Sequence, residues 1–187
     1  MSLRAVLWRS SPLASEEIAS AEVHRLAMTT PLVAAGGRAM IFVDISPDFA
    51  AQVPASLLEG AAQATLQHQK ADPTVDLSIV LSEDEQLQQL NRQFRGIDAP
   101  TDVLSFPANY LDPDTDHLYL GDVLISYPRA VAQAQAIGHS VEAEVQLLVV
   151  HGILHLLGHD HAEVEEKAQM WEAQNQILTA LKISPVT

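Results

Sequence analysis

Four of the chain's eight histidines fall within eleven consecutive residues, 151–161, which read HGILHLLGHDH. Three of them, His151, His155 and His161, are spaced four and six residues apart. On a helix, side chains four residues apart project from the same face, one turn apart, so the first two can bind one ion. Gly158 can adopt a left-handed conformation and reverse the chain, which brings His161 back towards that ion. The spacing therefore predicts a metal site with three imidazole ligands.

The number and type of these ligands indicate the chemistry of the site. Three protein ligands leave a fourth tetrahedral position for water, which is typical of catalytic rather than structural zinc sites. Zinc, at one ion per chain, is the metal we expect with imidazole donors. Nickel, copper and cobalt also fit these donors, and availability decides between them. The alternative is that the histidines are core or surface residues without metal, but two on a buried helix need polar partners inside the protein.

Two further residues of the segment are candidates for supporting roles. His159 is a candidate for contact with a substrate or for proton transfer. A fourth metal ligand and a plain surface residue are the alternatives, and we do not expect it to bind the metal. Asp160 is a candidate acceptor for the ring N–H of a ligand histidine, the arrangement that commonly orients such ligands.

The segment shares its histidine and glycine positions with the metzincin proteases, whose pattern is H-E-x-x-H-x-x-G-x-x-H. The glutamate of that pattern is the general base of the proteases. Gly152 occupies its position here. The sequence therefore predicts a metzincin-like set of ligands without the peptidase base.

Composition and charge limit the possible classes of protein. The 187 residues suffice for one domain with a sizeable core. The sequence has no cysteine, which excludes disulfides and thiolate metal sites, and no apolar run of membrane-spanning length. We expect a cytoplasmic protein. The formal net charge of −14 argues against binding of nucleic acid, because such proteins usually have a basic surface.

The pattern of apolar residues predicts a single α+β domain, with a small mixed sheet of about four strands and about five helices. The histidine segment lies on a helix that is apolar nearly all round and hence buried. Ser140 is predicted to begin that helix and Gly158 to end it. Ser82 and Glu85 predict a helix start with a capping box, and Pro107 predicts the end of a strand. The predicted strands are 40–46, 75–81, 102–106 and 118–126, and the predicted helices are 54–70, one from 82, 128–137, 140–157 and 162–181.

The first 39 residues differ from the rest of the chain. They are rich in small and turn-forming residues and lack sustained periodicity, so we expect a poorly packed extension. Met40 begins the first strand and is a candidate for the biological start. Residues 40–187 are predicted to form the single metallohydrolase domain.

Three motifs resemble those of the YbeY endoribonucleases, bacterial factors in the maturation of ribosomal RNA. HGILHLLGHDH is similar to that family's H-G-x-L-H-L-x-G-[YH]-D-H signature, with His159 where many members have Tyr. LNRQFRGIDAPTDVLSFP at 90–107 is similar to L-N-x-x-[FY]-R-x-x-D-x-P-T-[DN]-V-L-S-F-P. LGDVLIS at 120–126 is similar to the G-D-I-x-I-S strand. The resemblance extends over about residues 40–182.

The resemblance implies a metal-dependent endoribonuclease that is specific for single strands. It implies roles in maturation of the 3′ end of small-subunit ribosomal RNA and in ribosome quality control, with the ribosomal small subunit or associated protein factors as partners. By motif position, it implies that His151, His155 and His161 bind the metal and that Arg95 is the functional arginine.

The residues themselves leave the role of Arg95 open. Its planar set of donors suits the charge that develops on phosphate during cleavage, but a salt bridge with Asp98 or Asp102 is the alternative. Arg92, near the same helix end, and Ser105 are further candidates for contact with substrate. No glutamate base is evident beside the metal, so either water or the RNA 2′-OH can be the nucleophile.

The acidity of the predicted domain bears on how it binds RNA. Residues from 40 onward contain six basic and 21 acidic side chains. We therefore expect weak, salt-sensitive affinity for naked RNA, with partner proteins of basic surface placing the substrate. Two other classes remain as alternatives: a different zinc hydrolase such as a peptidase, and a non-catalytic ribosome-assembly factor with structural zinc.

Overall fold

A four-stranded sheet with helices on both faces organises the protein. The computed structural model describes residues 39–113 and 115–183, and no helix in that part of the chain is both long and apolar enough to cross a bilayer. The predicted α+β fold is confirmed there, including the number of strands and helices. The strands are β1 (Ile41–Ile45), β2 (Val75–Ser82), β3 (Val103–Leu111) and β4 (Leu118–Ser126), and the helices are α1 (Ala55–His68), α2 (Asp84–Arg95), α3 (Tyr127–Ile137), α4 (Val141–Leu156) and α5 (Val164–Ala180).

The sheet is mixed, with strand order β1-β2-β4-β3. β1 is parallel to β2 and β2 to β4, whereas β3 is antiparallel to β4. Parallel neighbours need a crossover connection, which α1 provides between β1 and β2. Every residue of β2 is buried. This explains its nearly continuous apolar sequence, which is typical of a strand covered on both faces.

Alternate residues of the strands face two different cores. Leu77 and Ile79 of β2 lie in the main core with residues of α1, α4 and α5. Val80 lies in a smaller core with Leu87 of α2 and Leu124 of β4. Because successive strand residues point to opposite faces, α2 and α4 lie on opposite sides of the sheet.

Helix α4 is the central helix predicted from the sequence. Ser140 caps its N-terminus, where the side chain accepts a hydrogen bond from the backbone N–H of Ala143 at 3.2 Å. Every residue from Leu147 to Leu156 is buried, including both histidines. Gly158 follows with a φ of 89°, as the predicted left-handed turn requires.

Two boundary predictions were wrong. Ser82 does not cap α2, because it is the last residue of β2, where it pairs with Ser126; the cap is Glu83, which makes no side-chain capping bond. Pro107 does not end β3, which continues to Leu111. β3 lies at the edge of the sheet, where a strand tolerates proline's missing N–H, and its register with β4 shifts just after Pro107.

The predicted extension 1–39 lies, apart from Ala39, outside the described residues. Its poor packing and the extent of the single domain therefore stay predictions.

Gly121 is a position in β4 where a side chain does not fit. Its φ is 137°, and a Cβ atom there would lie 2.1 Å from the carbonyl oxygen of Phe106. We expect Gly121→Ala to lower the free energy of unfolding by about 2–4 kcal/mol, measured by chemical denaturation. Gly60→Ala in α1 is the matched control, because nothing lies within 4 Å of its Cβ position. Equal losses in both variants would contradict the steric explanation.

Candidate metal centre

The three predicted ligands lie together at the end of α4. We call His151, His155 and His161 the histidine cluster. His151 and His155 occupy successive turns of the helix, with their Nε2 atoms 3.1 Å apart. The ring of His161 lies 5.7 Å from that of His151 and 5.1 Å from that of His155, between ring centres. One ligand atom from each residue lies within 4.8 Å of the others, so small side-chain shifts suffice for one ion to bind all three.

The turn after α4 returns the chain to the cluster. The backbone N–H of Gly158 donates to the backbone carbonyl oxygen of His155, and the backbone N–H of His159 donates to that of Leu154, each at 3.0 Å. The Asp160 carboxylate then accepts hydrogen bonds from the backbone N–H groups of His161 at 2.6 Å and Ala162 at 3.2 Å. Asp160 therefore holds the backbone that presents His161. Its predicted role as an acceptor for a ligand ring stays a prediction.

Hydrogen bonds on the far side of the rings fix which nitrogens face the cluster. His155 Nδ1 lies 2.9 Å from the carbonyl oxygen of His159, which can only accept, so this nitrogen is the protonated one. His151 Nδ1 lies 3.0 Å from Gln174 Oε1 and donates to it in the same way. In the neutral rings, both Nε2 atoms therefore present lone pairs towards each other. This juxtaposition is unfavourable unless a cation lies between them, and it is the tautomer that metal ligands adopt.

Burial keeps the two helix histidines neutral. Desolvation is the main cause that lowers the pKa of His151 to about 4, with a further lowering by His161 and an opposing effect of the Gln174 hydrogen bond. Desolvation and the neighbouring His151 lower the pKa of His155 to about 3. Both imidazoles are unprotonated at neutral pH, the form that binds metal.

The surroundings of His161 indicate whether a metal fits the cluster. Its Nε2 atom is buried and makes no hydrogen bond within the described part of the chain. A buried nitrogen without a partner is costly. Two tetrahedral zinc ligands at the usual bond length lie roughly 3.3 Å apart, close to the separation of the two Nε2 atoms on α4. The donor set, the unpaired nitrogen and the tautomers all fit a bound transition-metal ion.

Helix α5 forms the outer wall of the cluster, which the sequence analysis did not predict. Gln174, buried, contacts His151, and the Trp171 ring lies edge-on to the rings of His161 at 5.7 Å and His151 at 6.1 Å. One signal was available for Gln174. It is a polar residue within the buried stripe that Met170, Ala173 and Ile177 form on α5.

The comparison with protein families agrees with this geometry. Residues 47–182 match the model of the family described as endoribonuclease YbeY. The chain belongs to this family. The match includes the histidine cluster, Arg95 and the β3–β4 segment, so the YbeY resemblance of the three motifs is confirmed.

Individual relatives of the YbeY family support the assignment over most of the chain. An endoribonuclease YbeY from Roseiflexus sp. (strain RS-1) is 43% identical over 148 residues, which cover 76% of this chain and 92% of the relative. One from Halalkalibacterium halodurans is 44% identical over 127 residues, 63% of this chain and 79% of the relative. The solution structure of TM1509 from Thermotoga maritima has a TM-score of 0.50 and 25% identity, covering 77% of this chain and 91% of that one.

Gly152 explains why this YbeY chain does not have the base of the metzincin proteases. A Cβ atom at position 152 would lie 2.4 Å from Cγ1 of Val123 in β4 and 3.2 Å from the Ser105 hydroxyl. The position that holds the protease glutamate faces the sheet here, and helix and sheet are too close for any side chain.

The candidate arginines lie on α2, across the sheet from α4. Arg92 is exposed and forms an ion pair with Asp98 at 4.0 Å. Arg95 is the last residue of α2, half-buried, and burial lowers its pKa. Within the described residues Arg95 makes no ion pair. Asp102, its other expected partner, accepts from Gln133. Arg95 therefore does not have the salt bridge that was the alternative to a role in catalysis.

The other two candidates for substrate contact have structural partners. The Ser105 hydroxyl donates to the carbonyl oxygen of Gly152 at 3.1 Å, which connects β3 to α4. His159 Nε2 lies 3.0 Å from Gln69 Oε1, just beyond α1. The substrate contacts of both residues stay predictions.

Gln174 is expected to control how tightly the cluster binds metal. Replacing it with leucine removes the acceptor that fixes the His151 tautomer, so we expect metal affinity to fall by about 10–100-fold. Competition with a chromophoric chelator measures this affinity. Gln174→Glu retains an acceptor oxygen and is expected to keep the affinity near that of the wild type. If the leucine variant bound metal as tightly as the wild type, the Gln174 contact would have no role in the site.

Proposed function

We propose that this chain is a metal-dependent endoribonuclease that cleaves single-stranded RNA. The observation on which the proposal depends is the histidine cluster, in which three nitrogens converge and those of His151 and His155 are fixed in the metal-binding tautomer. Membership of the YbeY family supports RNA as the substrate.

Zinc is the metal we propose, with other divalent transition metals as alternatives. His151, His155 and His161 would hold it. When bound, it supplies a Lewis acid that activates water at neutral pH and stabilises negative charge on phosphate. The chain's own contribution is to hold three imidazoles in place: α4 fixes two, and the turn at Gly158 with the Asp160 carboxylate fixes the third.

Arg95 is proposed to bind the phosphate that undergoes cleavage. Its guanidinium lacks an ion-pair partner within the described residues and is partly withdrawn from water. A guanidinium in such surroundings binds phosphate oxygens more strongly than an exposed one, because water competes less. Arg92 is less suited to this role, since it is exposed and paired with Asp98.

The cellular role we propose is maturation of the 3′ end of small-subunit ribosomal RNA, with ribosome quality control, in the cytoplasm where ribosomes assemble. The formal net charge of −14 supports placement of the RNA by partners, either the small subunit or associated protein factors with basic surfaces. On its own, the protein is expected to bind naked RNA weakly and with strong dependence on salt.

A matched assay tests the activity. The purified protein is incubated with single-stranded RNA, duplex RNA and casein, with and without a chelator. We expect cleavage of single-stranded RNA only, its loss with chelator, and its loss in Arg95→Ala, which also excludes a contaminating ribonuclease. Arg92→Ala is the matched control on the same helix, with a smaller expected effect.

The other outcomes identify the alternatives. Casein cleavage would favour a peptidase, which the lack of space at Gly152 argues against. No turnover of any substrate, with metal-dependent stability, would favour a non-catalytic assembly factor.

A further inference from the structure

Helix α5 has a row of three side chains that leads from the surface to the histidine cluster. Lys167, Trp171 and Gln174 occupy positions i, i+4 and i+7, which lie on one face of a helix. Gln174 contacts His151, the Trp171 ring lies edge-on to His151 and His161, and the Lys167 ammonium lies over the Trp171 ring, 5.3 Å from its centre. Contacts therefore connect the ammonium to the cluster through a single aromatic ring.

The Lys167 ammonium does not pair with Glu163, the carboxylate one helical turn away, within the described residues. Glu163 lies four residues earlier, at the spacing of a helical ion pair, yet within the described residues Lys167 makes no ion pair and contacts the Trp171 ring instead. A cation on an aromatic face is held in place but remains available to a second, anionic partner.

Positively charged side chains are scarce in this protein, so the place of Lys167 near the cluster bears on how an anionic substrate binds. The described residues contain six lysines and arginines. Two of these form ion pairs, Arg92 with Asp98 and Arg129 with Asp84. Lys167 is the cation that the described contacts connect to the histidine cluster. In so acidic a protein, an ammonium that is connected to the cluster through one ring is a source of local attraction for a polyanion.

We propose that Lys167 binds a phosphate of the RNA strand next to the one that is cleaved, and that Trp171 holds the ammonium in place. Proteins that bind single-stranded nucleic acid commonly combine cations that contact the phosphate backbone with aromatic side chains nearby. The proposal rests on the function proposed above, since it names a contact that the same site makes with its substrate.

The test compares Lys167→Gln with Lys182→Gln in the full-length, metal-loaded protein. Both variants remove one positive charge, but Lys182 lies beyond the end of α5, fifteen residues and roughly 20 Å along the helix from Lys167. The first readout is kcat/KM for a single-stranded oligoribonucleotide over a range of salt concentrations. The second is the affinity for a 2′-deoxy oligonucleotide of the same sequence, by fluorescence anisotropy.

We expect Lys167→Gln to lower kcat/KM by about tenfold at low salt and to reduce the slope of log affinity against log salt by about 0.7, the loss of one phosphate contact on a single strand. Lys167→Arg should retain the slope, and Lys182→Gln should match the wild type. An unchanged slope in Lys167→Gln would overturn the proposal. If the wild type showed no metal-dependent cleavage while the affinity slope still fell in Lys167→Gln, the nuclease function would be wrong and the phosphate contact would stand.

Discussion

His155→Ala is expected to abolish both metal binding and RNA cleavage. His155 is buried and its Nε2 atom lies 3.1 Å from that of His151, so its removal leaves two ligands of which only one is on α4. We expect metal affinity to fall by about a hundredfold or more and cleavage of single-stranded RNA by about a thousandfold. Metal content after dialysis and single-turnover cleavage measure the two effects.

Thermal unfolding separates loss of metal from loss of fold. A ligand that binds only the folded state raises the melting temperature, so a chelator should lower that of the wild type and leave that of His155→Ala unchanged. His159→Ala is the matched control, because its ring contacts Gln69 rather than the cluster and the backbone carbonyl that accepts from His155 remains. If His159→Ala lost metal and His155→Ala retained it, the assignment of ligands would be wrong.

The convergence of the three histidines was predictable because their spacing is local. A separation of four residues places His151 and His155 on one face of the helix in any fold that keeps the helix. A glycine with a positive φ then reverses the chain after the helix. Ser140 and Gly158 marked the two ends of α4 for a similar reason, because a helix cap and a left-handed turn each depend on which residue stands at a single position. Such features can be predicted from the local sequence, without the rest of the chain.

What the sequence did not reveal depends on contacts between distant segments. Ser82 resembled a helix cap, but pairing with β4 extends the strand through it, and tertiary pairing prevails over a local capping preference. Gln174 contacts the cluster, and Lys167 lies over the Trp171 ring beside it, only because α5 packs beside α4. The sequence also did not indicate which arginine pairs with Asp98. Arg95 is the nearer of the two along the chain, yet Arg92 forms the ion pair, because the helix geometry and not the sequence separation decides it.

Gly152→Glu is expected to unfold the protein rather than to create a peptidase. The substitution restores the H-E-x-x-H pattern of the metzincin proteases. However, the Cβ atom would lie 2.4 Å from Cγ1 of Val123 and the carboxylate would be forced between α4 and the sheet. Overpacking and burial of a charge together should lower the free energy of unfolding by at least about 4 kcal/mol. Chemical denaturation and circular dichroism measure the loss.

A double-mutant cycle identifies the cause of that loss. Gly152→Ala alone is expected to cost about 1–3 kcal/mol through its contact with Val123, partly offset by about 1 kcal/mol of helix propensity. Removing the valine methyl groups in Val123→Ala makes room for the new Cβ atom, so the two substitutions together should cost less than the sum of their separate effects, by about 1–2 kcal/mol. Additive losses would mean that the two residues do not clash. A stable Gly152→Glu variant that cleaved casein would mean that the helix can move away from the sheet and that space does not exclude the protease base.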